Sequence, residues 1–386
     1  MRALSRIKNE FKLMITDPWL RALMLWLPVI LGVVMTAIFS SGIARDLPIS
    51  VVDLDHSRLS RNLIRYYDSS PTLSVNNQPY SVDTGSQELR SGNIYALAVI
   101  PANFEKETLL GHSPTVTVFY NTQFVLIGKL INSAIQQSQG TLAATVDTLK
   151  NMASGNPTPS LALGLSVPIK NQITPLFNSN SHYGQFLVSA TLPALWQVLI
   201  VVTTILAIAI ESRRAGIVSW LANAPLQNLL LKLMPYTLIF WLHGALMLWL
   251  LYGYFSWPMH GSWIILLLSQ LLMVLACQSV ACLLYFVPFD TTRAMSLAAA
   301  FTAPAFAFMG ITFPVSDMPI LARFWRSLLP VSHYIEVQVQ QVNYGASLIT
   351  AMPSLLSLFC FLAVMLVVTY KMTRLCATVT TQKDKK

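Results

Sequence analysis

The most regular feature of the chain is a set of long runs without a charged residue. They cover residues 22–44, 171–210, 233–289, 294–316 and 337–370. A helix needs about 20 apolar residues to cross the hydrocarbon of a bilayer. Four runs therefore hold one span each, and the third holds two, separated by the turn-forming segment 256–261. We predict six transmembrane helices, near 22–43, 186–210, 232–254, 263–287, 294–313 and 347–370.

The segment before the first run has the periodicity of an amphipathic helix. Leu4, Ile7, Phe11 and Met14 recur at spacings of three and four, with charged residues between them. We predict that residues 1–21 form an interfacial helix on the membrane surface, followed by the first span at 22–44. A cleaved signal peptide fits less well, because the apolar run exceeds the usual length of about 7–15 residues.

Residues 45–182 are the long hydrophilic block of the chain. The pattern alternates between predicted strands (49–53, 95–100 and 115–120) and predicted helices (57–67, 103–110 and 123–150). Such alternation is typical of a small α/β domain. We predict an α-helical polytopic membrane protein with this domain inserted between helices 1 and 2. The other five spans follow in 183–371, and 372–386 form a tail.

The distribution of charge predicts the orientation. The ends of the chain and the loops on their side carry 14 basic and five acidic residues, whereas the other side carries 11 of each. The whole formal charge of +9 thus lies on one side, which the positive-inside rule assigns to the cytoplasm. Both termini are expected there, and the α/β domain is expected outside. The sequence has no patch of basic and aromatic residues that would indicate nucleic acid as a partner.

Composition excludes other classes of protein. Apolar residues make up 54% of the chain and charged residues 11%, whereas a soluble protein has about a quarter charged residues. Four cysteines, none of them between Arg45 and Lys170, do not form a disulfide framework. Cys277 and Cys282 lie in the predicted fourth span, where small residues for helix packing are more typical than a redox pair.

Sequence motifs for catalysis are missing. No G-x-x-x-x-G-K-[ST] phosphate loop occurs, since Gly128-Lys129 is followed by Leu130. His333 and Glu336 share a helix face, but two ligands favour a packing role over a metal site. We therefore predict no catalytic residue, no metal and no cofactor bound by this chain, and no enzymatic activity of its own.

Polar residues within the spans are candidates for a substrate path. They are Gln185, Gln197, His243, Gln270 and Gln278. Hydrogen bonding between helices is the more common role for such residues. The spans contain no central carboxylate, which disfavours a carrier driven by protons or sodium.

Residues 310–334 contain short helical segments interrupted by glycine and prolines. Broken backbone at membrane depth is tolerated where it is buried in protein or lines a cavity. We predict a re-entrant hairpin that forms an outer gate, and a surface loop is the alternative. The candidate gate residues are Gly310, Phe313, Pro314, Pro319, Pro330 and His333.

Two segments of the hydrophilic block resemble a known family. Val52–Ser57 match V-D-x-D-x-S, and Gly92–Phe104 match G-x-x-x-x-x-x-x-I-P-x-x-F. Both motifs, in this order, resemble the extracytoplasmic domain of type-2 ABC exporter permeases. The order of one span, an outer domain and five further spans is also similar to that family, so the resemblance covers essentially the whole chain.

Residues 211–225 resemble the family motif E-R-E-x-G-T-x-E-x-L-L-x-x-P, although its acidic positions are not kept. The resemblance implies a helix that couples the permease to a cytosolic ATPase, with Trp220 and Leu221 as apolar anchors. An interfacial loop is the alternative. The candidate coupling residues are Glu211, Arg213, Arg214, Gly216, Trp220, Leu221 and Pro225.

The resemblance implies the permease subunit of an ATP-driven exporter in a bacterial inner membrane. A separate cytosolic ABC ATPase would hold ATP and magnesium. A second permease, identical or paralogous, would complete a dimer, and a periplasmic adaptor protein is a further expected partner. The alternatives are an ion-driven carrier or channel, and a receptor or scaffold that does not transport. A membrane enzyme is the weakest of these, and the transported substrate stays open.

Overall fold

A computed structural model describes residues 2–40, 42–155, 158–167, 176–178, 182–221 and 224–383. The chain divides into two compact units. The helical unit comprises Met1–Gly42 and Pro175–Lys386, and the α/β unit comprises Ile43–Thr174. The α/β unit corresponds to the predicted domain at 45–182, but it ends at Thr174.

The described residues form helices, four strands and short π-helical or 3-10 turns. The helices are α1 (Arg2–Thr16), α2 (Pro18–Arg21), α3 (Leu27–Ile38), α4 (Arg58–Asp68), α5 (Val82–Arg90), α6 (Phe104–Leu109), α7 (Val125–Ala153), α8 (Pro159–Ser166), α9 (Tyr183–Ala215), α10 (Ile217–Leu221), α11 (Pro225–Leu248), α12 (Trp263–Phe286), α13 (Thr291–Thr302), α14 (Ala305–Phe308), α15 (Ile320–Ser327), α16 (Pro330–Val342), α17 (Leu348–Cys360) and α18 (Val364–Lys383). The strands are β1 (Leu47–Asp53), β2 (Leu73–Asn77), β3 (Ala96–Ile100) and β4 (Thr117–Tyr120).

The α/β unit is built on a sheet with strand order β2-β1-β3-β4. Strand β1 is parallel to β2 and β3, and β4 is antiparallel to β3. The three predicted strands and three predicted helices of this region are confirmed to within a few residues at their ends. Strand β2 and helices α5 and α8 were not predicted. The sequence of β2, Leu-Ser-Val-Asn-Asn, has too few apolar positions to show alternation.

The two faces of the sheet bury different side chains. Ile49 and Val51 of β1 are in one core cluster with Leu63 of α4 and Ile131 of α7. Val52 belongs to a second cluster, with Ile94 and Leu97. Successive side chains of a strand point to opposite faces, so one β-branched strand serves both clusters.

The V-D-x-D-x-S motif supports local structure in the α/β unit. An Asp53 carboxylate oxygen accepts the Ser60 hydroxyl at 2.7 Å. The Asp55 carboxylate accepts the backbone N–H of Glu105 at 3.0 Å, in the first turn of α6. Ser57 caps α4 by accepting the N–H of Ser60. Ser57 and Asp55 therefore accept N–H groups at the starts of α4 and α6, and Asp55 connects the first motif to Glu105, the residue directly after the second motif.

Among the residues that the structure describes, the helical unit has five helices long and apolar enough to cross a membrane. They are Pro18–Ile38, Tyr183–Arg214, Pro225–Tyr254, Trp263–Phe286 and Leu348–Arg374. Their positions agree with five of the six predicted spans. The most apolar window of the second helix is 78% buried inside the chain, and that of the first only 6%. Helix α9 is therefore central to the unit, whereas the first helix packs at its edge.

The continuous helix predicted over 294–313 is wrong. Helix α13 ends at Thr302, and after a turn at Ala303 and Pro304 the one-turn helix α14 begins. Proline lacks the N–H that an α-helix needs and its ring crowds the preceding turn, so it ends the helix here. Whether this broken segment supplies a sixth crossing stays a prediction.

Helices α15 and α16 are separated by two residues and contact each other, and a re-entrant hairpin in this region stays a prediction. Helix α16 runs to Val342, beyond the predicted end at 334. Most of α16 is buried, and it packs against α9, α12 and α17. The predicted alternative of a surface loop is therefore wrong for α16.

Candidate coupling site

The connection between α9 and α11 turns at Gly216. Its φ of 71° and ψ of 132° are open mainly to glycine, because a Cβ atom would strain the backbone there. Its N–H donates to the Ser212 carbonyl at 3.1 Å and closes the last turn of α9. The predicted coupling helix over 211–225, which we call the coupling segment, thus contains the end of α9 and the single turn α10.

Helix α10 is attached to the core. Leu221 is fully buried, in the same apolar cluster as Leu229 of α11 and Met372 of α18. The Asn228 amide donates to the Trp220 carbonyl at 2.8 Å. Leu221 therefore holds α10 from inside and is not at the surface, so the anchor predicted at this residue is revised. Trp220 is half-buried and keeps an exposed edge.

The remaining predicted coupling residues flank this turn. Arg213 and Arg214 are exposed at the end of α9, and the Arg213 Nε donates to the Ala209 carbonyl at 3.3 Å. Pro225 occupies the first turn of α11, where a missing N–H costs nothing. The coupling segment therefore exposes the guanidinium groups of Arg213 and Arg214 and part of the Trp220 indole. The buried Leu221 fixes this turn to the core of the helical unit.

Directly behind the coupling segment lies a buried ion cluster. The Lys232 ammonium of α11 is 2.7 Å from a Glu10 carboxylate oxygen of α1 and 2.8 Å from one of Glu211, near the end of α9. The Lys232 side chain is 2% exposed. We call Glu10, Lys232 and Glu211 the Lys232 cluster. It joins α1 to α9 and α11, which are distant from α1 in the sequence.

The electrostatics of the cluster make it hard to break. Burial raises the pKa of Glu10, and the charge of Lys232 opposes this increase. The Tyr236 hydroxyl lies 3.4 Å from the same carboxylate. Removing one partner from a buried ion pair leaves an uncompensated charge and costs about 3–5 kcal/mol. The end of α9, the start of α11 and helix α1 are thus constrained to move together.

Two of the predicted path residues bond between helices. Gln197 accepts the backbone N–H of Val331 at 3.0 Å, and the Gln270 amide donates to the Tyr334 hydroxyl at 3.2 Å. Both glutamines are fully buried. They fix α16 against α9 and α12. This is interhelical hydrogen bonding, which the sequence alone already favours as the more common role of such residues.

The other three predicted path residues lie apart from one another. Gln185 lines a small cleft with Tyr252 and Gln338. Gln278 lines a separate groove between α11 and α12. His243 is half-buried, with its ring centroid 6.0 Å from that of Phe240. The structure does not bring the five residues together around one cavity.

The predicted gate residues divide into two groups. Phe313, Pro314 and Pro319 are exposed, and they follow Gly310, which has a φ of 90°. Pro330 and His333 are buried in α16.

His333 and Glu336 have separate partners. The His333 Nε2 lies 3.0 Å from the Ser327 carbonyl, and Glu336 accepts from Arg326 at 3.0 Å. These contacts tie α16 to α15. Across the described ranges, no three His, Cys, Asp or Glu side chains are placed to hold a metal ion.

Sequence reasoning missed Glu10, Lys232 and Tyr236. It placed Glu10 on the predicted interfacial helix and Lys232 in the loop between the second and third spans, and counted both only as cytoplasmic charges. A signal was present, because Lys232 directly precedes the longest uncharged run and Glu10 is one of only two acidic residues in the predicted interfacial helix. The pairing itself depends on tertiary contacts.

A model of the family described as ABC-2 family transporter protein matches residues 18–371. The chain belongs to this family. No curated protein and no solved structure matches it. As a member of the ABC-2 transporter family with several apolar helices, the protein is a multi-pass membrane protein with a permease-like role in transport.

Proposed function

We propose that this ABC-2 family protein is the permease subunit of an ATP-driven exporter in a bacterial inner membrane. The observation that carries the proposal is the turn at Gly216 and α10, which is backed by the Lys232 cluster and exposes Arg213, Arg214 and an edge of Trp220. Membrane proteins of this family generally work with an ATPase subunit. A separate chain would bind ATP and magnesium, because the sequence contains no phosphate loop.

The mechanical basis of the proposal is rigid transmission. A partner that pushes on α10 displaces the end of α9 and the start of α11, since Leu221 and the Lys232 cluster fix these parts to one another. Helix α9 is central to the helical unit, so its displacement reaches α12, α13 and α16. A transport cycle needs such a connection between hydrolysis outside the membrane and movement inside it. A second permease copy or paralogue, and a periplasmic adaptor, complete the proposed assembly.

The test is assembly with an ATPase in native membranes. Affinity purification of the full chain should retain an ABC ATPase and magnesium-dependent ATP hydrolysis, and the chain alone should hydrolyse no ATP. Trp220→Ala should lower retention of the ATPase about tenfold, the effect of losing an aromatic contact at an interface worth about 1.4 kcal/mol. Trp263→Ala is the matched control, because this indole is 40% exposed at the start of α12.

Two results would overturn the proposal. The first is a purified chain that retains no ATPase under conditions that preserve other transporter complexes. The second is equal retention by the Trp220 and Trp263 variants, which would place the contact elsewhere.

A further inference from the structure

An open groove of about 710 Å³ runs along the helical unit between α11, α12 and the start of α18. Its walls are apolar, with Leu230, Met234 and Leu238 from α11 and Leu275 from α12. The three α11 side chains are 48%, 59% and 48% exposed. Because these helices are long and apolar enough to cross a membrane, the groove lies where lipid surrounds the protein.

Four polar residues, Gln227, Thr237, Gln278 and Ser279, interrupt the apolar wall, and Gln278 has a buried amide nitrogen without a partner among the described residues. Gln278 of α12 is 3% exposed and lines the groove. Its amide oxygen accepts the Thr237 hydroxyl at 2.8 Å, whereas its amide nitrogen has no hydrogen-bond partner among the described residues. A buried donor without an acceptor is unfavourable, and a ligand that brings an acceptor into the groove removes that penalty.

The depth of Gln278 fits the ester region of a phospholipid. Thr237, its partner, lies five residues beyond Lys232 in α11, or about 7.5 Å deeper at 1.5 Å per residue. The headgroup layer of a bilayer is about 5–8 Å thick on each side. With a headgroup at the level of the charged Lys232 cluster, an ester carbonyl lies at the level of Gln278. The apolar chain then continues past Leu238 and Trp241, which also line the groove.

The charge at this end of the helical unit favours an anionic headgroup. Glu10 and Glu211 are already paired with Lys232. Helix α10 contacts α18, so the basic residues of both neighbouring segments lie at this end. Exposed basic side chains here are Lys12, Arg213, Arg214 and Lys371. Clusters of lysine and arginine beside spans attract anionic lipids.

We propose that the groove is a binding site for one anionic glycerophospholipid, with an acyl chain between α11 and α12 and an ester carbonyl accepting from the Gln278 amide. None of the candidate coupling residues lines the groove, although Arg213 and Arg214 lie at the same end of the helical unit. The lipid site needs neither a partner ATPase nor a transported substrate, so its failure and that of the proposed function are distinguishable.

The experiment counts lipids on the purified full chain by native mass spectrometry. Phosphatidylglycerol and phosphatidylcholine are added in turn to the protein in a mild detergent. We expect one phosphatidylglycerol per chain at concentrations where phosphatidylcholine is not retained. Leu238→Trp fills the groove and Gln278→Leu removes the donor, and each should weaken retention about tenfold.

Leu246→Trp is the matched control. Leu246 lies on the same helix, is 55% exposed and does not line the groove, so this variant should retain phosphatidylglycerol like the wild type. Equal loss in the Leu246 and Leu238 variants would mean unspecific surface lipid and would overturn the proposal. Equal retention of both lipids would do the same. A disulfide between two copies of Leu238→Cys would instead make the groove an interface between chains and also contradict it.

Discussion

At the scale of single residues, Lys232 has the most instructive environment. Lysine is almost never fully buried unless it is paired. Here the ammonium lies between two carboxylates, from residues 10 and 211, at 2.7 and 2.8 Å. Desolvation of three charged groups makes the net stability of such a cluster small, but makes removal of one member costly. Its value to the molecule is therefore the fixed geometry of three helices.

We predict that Lys232→Met destabilises the helical unit by about 3 kcal/mol, because two mostly buried carboxylates, 12% and 23% exposed, remain without a cation. Thermal unfolding of the full chain in detergent measures the effect as a lower unfolding temperature. Adding Glu10→Gln and Glu211→Gln to the same variant should restore most of the loss, since the uncompensated charges are then absent.

Lys12→Met is the control for charge alone, because Lys12 is exposed on α1. We expect a change of at most about 0.5 kcal/mol for such a surface substitution. Similar unfolding temperatures for the Lys12 and Lys232 variants would contradict the structural role of the cluster.

Tyr67 makes the folding stability of the α/β unit depend on pH in the alkaline range. Its ring is fully buried in the core and its hydroxyl accepts from the Gln139 amide at 2.9 Å. Burial raises the pKa of Tyr67 from 10.0 to about 12. Because the folded pKa is the higher one, ionisation favours the unfolded chain. The stability that this group contributes is present below pH 10 and is lost as the pH rises towards 12.

We therefore expect the wild type to lose about 1.4 kcal/mol relative to Tyr67→Phe between pH 9 and pH 11. Denaturant unfolding of both proteins at the two pH values measures this difference. The other tyrosines are common to both chains and cancel. A constant difference between the proteins across this range would contradict the raised pKa.

At the scale of secondary-structure elements, the end of α9 depends on one glycine. Among the described residues, the added Cβ of Gly216→Ala meets only the Ser219 hydroxyl, at an ordinary contact distance of 3.5 Å. The constraint is the backbone, since a φ of 71° is unfavourable for other residues. Substitution of Gly216 by alanine therefore tests backbone strain without a steric clash of the added Cβ.

We predict that Gly216→Ala destabilises the chain by about 1–3 kcal/mol, the usual cost of a strained backbone conformation. Gly140→Ala is the matched control, because Gly140 lies within α7 and nothing is within 4 Å of the added Cβ. Alanine in a helix interior should stabilise there by about 0.5–1 kcal/mol. Unfolding temperatures that shift in the same direction would contradict the argument.

Element prediction succeeded where the signal is local. The apolar runs located five long helices, and alternation located β1, β3 and β4. It failed at 294–313, where the uncharged run was read as one helix although Pro304 interrupts it. It also failed at β2, whose place in the sheet comes from its pairing with β1. Hydrophobicity measures where a segment can be buried, not whether its backbone is continuous.

At the scale of the whole molecule, the distribution of basic residues beside the spans predicts how the protein is oriented in the membrane. In the sequence, the α/β unit is inserted into the helical unit between Gly42 and Pro175. The basic excess beside the spans predicts that the coupling segment lies in the cytoplasm and the α/β unit outside. An accessibility experiment distinguishes this from the reverse orientation.

We predict that Tyr80→Cys in the α/β unit reacts with a membrane-impermeant maleimide in spheroplasts, because Tyr80 is 97% exposed. Arg214→Cys should react only after the membrane is permeabilised. Cys360, which is exposed, and Cys376 are replaced by serine in both proteins. Labelling of the Arg214 variant from outside would place the coupling segment on the wrong side and contradict the orientation.

The sequence by itself determined five of the six predicted apolar helices, the amphipathic first helix, the α/β domain and the family resemblance. These properties follow from hydrophobicity, periodicity and motif order, which are read along the chain. Only the tertiary structure decided that Lys232 meets Glu10 and Glu211, that Leu221 is turned inward and that Gln278 borders a groove. Each of these depends on helices distant in sequence packing side by side, and local patterns do not specify which residues then meet.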